Sequence, residues 1–288
     1  MSEIAGSKPI TNSASGESLA MKSLLVFTLV TFSFTWLALA PAVLSAYGFF
    51  DLPVPSTVLI TMATLGPFLG GISAAAYEAG PAGVRALFSR VARWRVGIAW
   101  YVLVLVGPAL VMLAAFLLWR SLGGPALSAP PANAWMTIPV LLVVLLIPAL
   151  FEETGWRGFA LPILQRRYGA LAASVALGIT WAAWHAPIWL IPEAGLNSLP
   201  FSIFAVFTVS LSILFTWLFN NSDGSVLLPA LAHAAINAYP QPWNTAVYLL
   251  DEANRGMHLQ IPVTIVLVLL AGVLIWVIRP QKQALSIQ

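Results

Sequence analysis

The sequence of Trp135–Leu164, WMTIPVLLVVLLIPALFEETGWRGFALPIL, decides the class of fold. A helix that crosses a bilayer needs about 20 predominantly apolar residues, and this run exceeds that length. Near its centre stand two adjacent glutamates and, four residues after the second, an arginine. Because ionisable side chains are costly inside a bilayer, they usually mark function there. The stretch therefore predicts a transmembrane helix that carries part of a functional site.

The composition of the whole chain agrees with this interpretation. Of its 288 residues, 60% are hydrophobic and 8% are charged, and the mean hydropathy is +0.90. Ordinary soluble domains are about 45–50% apolar and about 25% charged, so the chain is not a soluble globular enzyme. The lack of cysteine excludes disulfides, thiolate catalysis and cysteine-ligated metals. We interpret the net charge of +3 as a signal of membrane orientation and predict no nucleic-acid partner.

Eight apolar runs predict an all-α, polytopic membrane helix bundle of about eight transmembrane helices. They are approximately Ser23–Ala46, Thr57–Tyr77, Ile98–Trp119, Trp135–Leu164, Ala170–Ile191, Phe201–Phe219, Ser225–Tyr239 and Ile261–Ile278. Residues 1–20 are small and polar, and we expect them to form a disordered N-terminal tail. Residues 21–288 would then form a single transmembrane domain.

The distribution of lysine and arginine predicts the orientation of the bundle. With the N-terminus in the cytoplasm, the inner side collects ten cationic residues and the outer side only Arg120 and Arg255. Such a bias is typical of cytoplasmic loops. We therefore expect a multi-pass membrane protein with both termini in the cytoplasm.

Three polar segments cannot be moved out of the predicted spans: Phe151–Arg157, Trp181–His185 and His233–Asn237. At 1.5 Å per residue in unbroken helices, Glu152 and His185 lie about 21 and 22 Å from the inner surface. His233 and Asn237 lie about 12 and 18 Å from it. These depths overlap near the middle of a hydrocarbon layer of about 30 Å. The three segments can therefore meet in one pocket.

Spacing within the segments adds detail. Glu153 and Arg157 are four residues apart, which favours an ion pair on one helical face. Glu152 points about 100° away from Glu153 and is free to face a cavity. On another helix His233 and Asn237, also four apart, present two hydrogen-bond donors side by side.

These residue types support two kinds of chemistry. A water held between Glu152 and His185 would suit general-base attack on a carbonyl, with the donor pair stabilising the oxyanion. Alternatively, Glu152, His185 and His233 form a His₂Glu set typical of catalytic zinc. A structural reading exists for each histidine, since intramembrane polar side chains also join helices, whereas two adjacent carboxylates gain nothing from packing. We interpret the tryptophans, Trp181 among them, as packing residues or pocket walls.

The same three segments resemble the CPBP family, which comprises type II CAAX prenyl endopeptidases, bacteriocin-processing or self-immunity proteins and lysostaphin-resistance-like proteins. The family pattern is Glu-Glu-x-x-x-Arg, then Phe-x-x-x-His, then His-x-x-x-Asn or Asp. Glu152–Arg157 matches the first motif and His233–Asn237 the third. In the second motif His185 is present, but Trp181 replaces the phenylalanine. This change bears on pocket shape more than on chemistry, and the resemblance covers about residues 135–240.

The resemblance implies an intramembrane endopeptidase that hydrolyses a membrane-associated protein or peptide, prenylated CAAX substrates included. Glu152 would activate water with help from His185, and His233 and Asn237 would hold the oxyanion. Glu153 and Arg157 would form a structural ion pair. The favoured mechanism requires no cofactor, while Zn²⁺ bound by Glu152, His185 and His233 is the alternative. The cavity would face the cytoplasm from the cell membrane of a prokaryote.

A second hypothesis is a non-proteolytic immunity or scaffold protein that uses the same polar cluster for binding. It would tolerate the loss of Glu152, which the endopeptidase would not. The sequence does not predict the oligomeric state.

Overall fold

A computed structural model describes residues 12–124, 134–194, 199–239 and 257–278. Within these ranges every regular element is helical and no strand is present, which confirms the predicted all-α membrane bundle. The α-helices are α1 Asn12–Ala46, α2 Ser56–Ala63, α3 Leu65–Val91, α4 Ile98–Ser121, α5 Ala134–Glu153, α6 Leu161–His185, α7 Phe201–Asn221, α8 Leu227–Ala238 and α9 Met257–Ile278. A π-helix, Thr154–Ala160, joins α5 to α6, and two 3₁₀ turns, Ala186–Leu190 and Pro192–Ala194, follow α6.

Each of the eight predicted spans falls on apolar helix. In the described part of the chain, five helical runs are long and apolar enough to cross a membrane. They are Gly16–Ala46, Ser56–Val91, Ile98–Ser121, Met136–Leu190 and Phe201–Asn221, and the shorter apolar helices are Leu227–Ala238 and Gln260–Trp276. The run Met136–Leu190 contains two predicted spans, separated by the positive φ of 78° at Gly169. How many helices cross the membrane stays a prediction.

The N-terminal segment differs in part from the predicted tail. Residues 1–11 lie outside the described residues, but α1 begins at Asn12, so residues 12–20 are helical. Two contacts join this extension to the rest of the bundle. Glu17 accepts a hydrogen bond of 3.0 Å from Arg167, and Ala20 packs against the hydrophobic core.

Small residues allow α1 and α3 to pack closely. Gly66 and Gly70 fit the small-xxx-small pattern of membrane helix interfaces. A Cβ added at Gly66 would lie 2.7 Å from the carbonyl oxygen of Thr31, and one added at Gly70 would lie 2.8 Å from that of Phe27. The backbones of the two helices therefore approach at a distance that a larger residue does not permit.

Helix α3 folds back on itself and reaches the motif-bearing elements. It bends at Ala79 and Gly80, where Gly80 has a φ of 57°. Beyond the bend Leu87 is 1% exposed, and Arg90 donates a hydrogen bond of 2.6 Å to the carbonyl of Gly158 in the π-helix. The amide of Val226, just before α8, donates to the carbonyl of Arg90 at 3.1 Å. The end of α3 thus joins the π-helix to the start of α8.

The contact between α1 and α3 predicts the effect of enlarging Gly70. Gly70→Ala places a methyl group against the backbone of Phe27, and overpacking of this kind typically costs about 1–3 kcal/mol. We expect a lower thermal unfolding midpoint for the purified protein in detergent. Gly272→Ala in α9 is the matched control, because a Cβ there meets nothing within 4 Å. Equal midpoints for the two variants would contradict the close approach of α1 and α3.

Candidate active site

Residues from two of the three polar segments meet at one carboxylate oxygen. Glu153 stands at the end of α5, Arg157 in the π-helix and His233 in α8. The Oε1 atom of Glu153 accepts a hydrogen bond from Nη1 of Arg157 at 3.0 Å and one from Nδ1 of His233 at 3.1 Å. The ion pair that the spacing of Glu153 and Arg157 predicts is therefore present, and His233 joins it.

The cluster lies inside the bundle. Glu153 and Arg157 are 0% exposed, and Glu152 and His233 are 6% exposed. A buried charge left without a partner is strongly destabilising, whereas a paired and hydrogen-bonded one is tolerated. The two contacts of Glu153 therefore make it possible to bury this carboxylate.

Two aromatic rings complete the surroundings of Arg157. Its guanidinium carbon lies 4.9 Å from the ring centre of Trp181 in α6 and 5.0 Å from that of Phe215 in α7. Both distances are within the range of cation–π attraction. The arginine is held by one carboxylate and two rings, each from a different helical element.

Glu152 has a different partner from Glu153, as their position on the helix predicts. The Oε2 atom of Glu152 accepts a hydrogen bond of 2.9 Å from the indole Nε1 of Trp181. Both ion pairs of this cluster are made by Glu153. The two adjacent carboxylates thus have separate roles: one balances charge, and the other is held by a neutral donor.

His185 follows Trp181 by one turn of α6. Its Nδ1 atom is 2.9 Å from the carbonyl oxygen of Trp181. Since a carbonyl oxygen only accepts, Nδ1 carries the proton, and in the neutral ring Nε2 presents a lone pair. The ring of His185 packs edge-on against Trp184 and Phe204, with centroids 4.5 and 5.1 Å away, and the residue is partly exposed.

The predicted donor pair on α8 has one buried and one exposed member. His233 is buried and packs against Trp181 with ring centroids 5.2 Å apart. Asn237 stands one turn later, and its side chain is exposed. Nδ1 of His233 donates to the carboxylate of Glu153, so Nε2 is the ring nitrogen that is left for a further hydrogen bond.

Trp181, interpreted from the sequence as a packing residue or pocket wall, makes polar contacts that the sequence did not predict. Its indole donates to Glu152, its carbonyl accepts from His185, and its ring contacts both Arg157 and His233. The available signal was its position one helical turn before His185, where the resembled family has a phenylalanine that lacks a donor. Trp181 therefore contacts Glu152, His185 and His233, three of the four residues predicted for catalysis.

The proposed zinc ligands do not form a compact set in this conformation. In the ranges 12–124, 134–194, 199–239 and 257–278, no group of three or more histidine, aspartate or glutamate side chains is placed to hold a metal ion. Each of the three candidate ligands has a hydrogen bond at one atom that could bind metal: Oε2 of Glu152, Nδ1 of His185 and Nδ1 of His233. The residues present do not fit a metal here, and the zinc alternative stays a prediction.

Comparison with known proteins finds sequence similarity to the part of the chain that carries this site. Residues 134–239 match the sequence model of the family described as type II CAAX prenyl endopeptidase Rce1-like. The chain is also 34% identical over 110 residues to CAAX prenyl protease 2 of Methanococcus maripaludis. That alignment covers 35% of this chain and 39% of the relative. The matched segment contains the cluster from Glu152 to Asn237.

The geometry of the ion pair predicts a large effect of removing Arg157. Arg157→Met leaves the fully buried carboxylate of Glu153 without its guanidinium, and breaking a buried pair typically costs about 3–5 kcal/mol. We expect a strongly lowered thermal midpoint in detergent, partly restored by adding Glu153→Gln. Arg167→Met is the matched control: it breaks the exposed pair with Glu17, which is worth at most about 1 kcal/mol. Similar shifts for both arginines would contradict a larger contribution of the buried Glu153–Arg157 pair than of the exposed one.

Proposed function

We propose that this chain, whose residues 134–239 belong to the type II CAAX prenyl endopeptidase family, is an intramembrane endopeptidase. Its substrate would be a membrane-associated protein or peptide, and a prenylated CAAX peptide is the first to test because the relative is named CAAX prenyl protease 2. The observation that carries the proposal is that the two adjacent glutamates have different partners. Glu153 makes the contacts with both Arg157 and His233, so Glu152 is available as a base.

In the proposed reaction, a water lies between Glu152 and Nε2 of His185. The indole of Trp181 holds Oε2 of Glu152, so Oε1 takes the proton as water attacks the scissile carbonyl carbon. Breakdown of the tetrahedral intermediate then expels the amine, which receives that proton from Glu152. General-base catalysis of this kind typically contributes about 10²–10⁴-fold in rate.

His233 and Asn237 are proposed to stabilise the oxyanion. With Nδ1 of His233 bound to Glu153, Nε2 donates a hydrogen bond only when the ring is protonated. Two carboxylates, one guanidinium and one imidazolium sum to zero charge, which favours this protonation state for a cluster buried in a membrane. The exposed side chain of Asn237 would add the second donor once substrate lies beside α8. No step passes through a metal.

The central test is hydrolysis of a prenylated CAAX peptide by the protein reconstituted in vesicles. We expect Glu152→Gln to lower kcat at least about 100-fold, because the variant removes the base. Glu78→Gln is the matched control, since this carboxyl group accepts from Ser23 on α1 and lies outside the cluster. Product should persist with a metal chelator.

The contrary outcomes are distinct. Activity that disappears with chelator and returns with zinc would favour the metalloprotease. Unchanged cleavage by Glu152→Gln would remove the proposed base. Specific binding of the peptide without any product would favour the scaffold hypothesis.

We further propose that the end of the bundle near Ala92 faces the cytoplasm. Arg90 and Arg93 lie at this end, where Ser225 donates to the carbonyl of Arg93 at 2.7 Å. The chain has no cysteine, so single cysteines can be placed at exposed Ala92 and Leu122. In intact cells, a membrane-impermeant maleimide should label Leu122→Cys and leave Ala92→Cys unlabelled until the cells are opened. The reverse pattern would overturn the orientation.

A further inference from the structure

Trp181 makes contacts that a packing residue does not require. Its indole N–H is a donor without acceptor capacity, and it is directed to Oε2 of Glu152 at 2.9 Å. Trp181 is 3% exposed and Glu152 is 6% exposed. In surroundings of low polarity, a hydrogen bond to a charged group is stronger than one between neutral groups. The contact therefore restricts the orientation of the carboxylate.

The same residue also orients the histidine that would share the water. Its main-chain carbonyl accepts from Nδ1 of His185, which fixes the tautomer with a lone pair on Nε2. A shift of the whole residue Trp181 therefore moves both the indole N–H that binds Glu152 and the carbonyl oxygen that binds His185. The side chain and the backbone of one residue set the relative positions of two groups.

The ring of Trp181 makes the third connection. One contact of the ring is with the guanidinium of Arg157, and another is an edge contact with His233, with the planes 75° apart. A phenylalanine at this position keeps an aromatic ring for both neighbours. It cannot donate to Glu152. The hydrogen bond is therefore a property that this chain has in addition to the motif it resembles.

We propose that Trp181 is a positioning residue for hydrolysis: its indole N–H holds Glu152 in the orientation that accepts the proton of water. This inference rests on the proposed endopeptidase function and adds a residue to it. Because the indole is bound to Oε2, Oε1 is the oxygen left to accept the proton, and the carboxylate cannot rotate freely.

The decisive variants change the donor and leave the shape of the side chain nearly intact. Site-specific incorporation of 3-benzothienylalanine at position 181 replaces the N–H by sulfur, whereas 5-fluorotryptophan keeps the N–H. Trp181→Phe is the simpler companion variant. Trp189→Phe is the matched control, because it removes an indole donor with the same bond length, 2.9 Å, whose acceptor is the carbonyl of Leu199.

We expect the benzothienyl protein and Trp181→Phe to lose about 10- to 100-fold in kcat on the prenylated CAAX peptide. KM should stay within about twofold, and the thermal midpoint of the benzothienyl protein should match that of the wild type. The 5-fluorotryptophan protein and Trp189→Phe should retain wild-type kcat. If the role were purely structural, the thermal midpoint would fall instead, and each of the four proteins would lose activity to the extent that its substitution disturbs packing.

Failure of this inference is distinguishable from failure of the proposed function. If the wild type cleaves and Glu152→Gln does not, but the benzothienyl protein is fully active, the positioning role is wrong and the endopeptidase stands. If the benzothienyl and 5-fluorotryptophan proteins lose activity equally, the N–H is not the cause and the role is also wrong. If the wild type cleaves nothing, both proposals are overturned. The benzothienyl protein decides the question even if Trp181→Phe does not fold.

Discussion

The structure of this site depends on the cost of holding a carboxylate away from water. Glu153 is fully buried in a bundle with a predominantly apolar surface, so its charge must be balanced by protein groups. One oxygen atom of Glu153 receives both the guanidinium of Arg157 and the imidazole of His233. Because these partners come from the π-helix and from α8, meeting the charge requirement also fixes how two distant parts of the chain meet.

This constraint explains why two glutamates stand side by side. A carboxylate whose charge balances a buried arginine is a poor base, because protonating it would leave the guanidinium without a counter-charge. On a helix, adjacent side chains point about 100° apart, so the second glutamate faces a separate environment. Glu152 is directed to the indole of Trp181, whereas Glu153 is directed to the charges. Glu153 can therefore balance the buried positive charge while Glu152, at the next position, stays outside that ion pair.

Several features could be predicted because they depend on local periodicity or composition. The apolar spans follow from length, and the contact between Glu153 and Arg157 follows from a spacing of four residues. The match of residues 134–239 to the resembled family confirms the recognition made from three motifs. Each of these signals is contained within one or a few helical turns.

Other features depend on contacts between distant residues, and the sequence pattern does not specify those. Nothing local indicates that His233 pairs with Glu153, 80 positions earlier, rather than acting beside Asn237 alone. The hydrogen bond from Trp181 to Glu152 was missed because a buried tryptophan in an apolar helix is usually interpreted as packing. The depth estimates also assumed regular α-helix, whereas residues 154–160 are π-helical.

That π-helix has a consequence for protein engineering. A π-helical segment accommodates more residues per turn than an α-helix, so the elements on its two sides are rotated relative to a regular helix. The carboxylates precede the segment, Arg157 lies within it, and Trp181 and His185 follow on α6. Grafting the same motif residues onto a regular α-helical hairpin would therefore keep the sequence but change the directions in which these side chains point relative to one another.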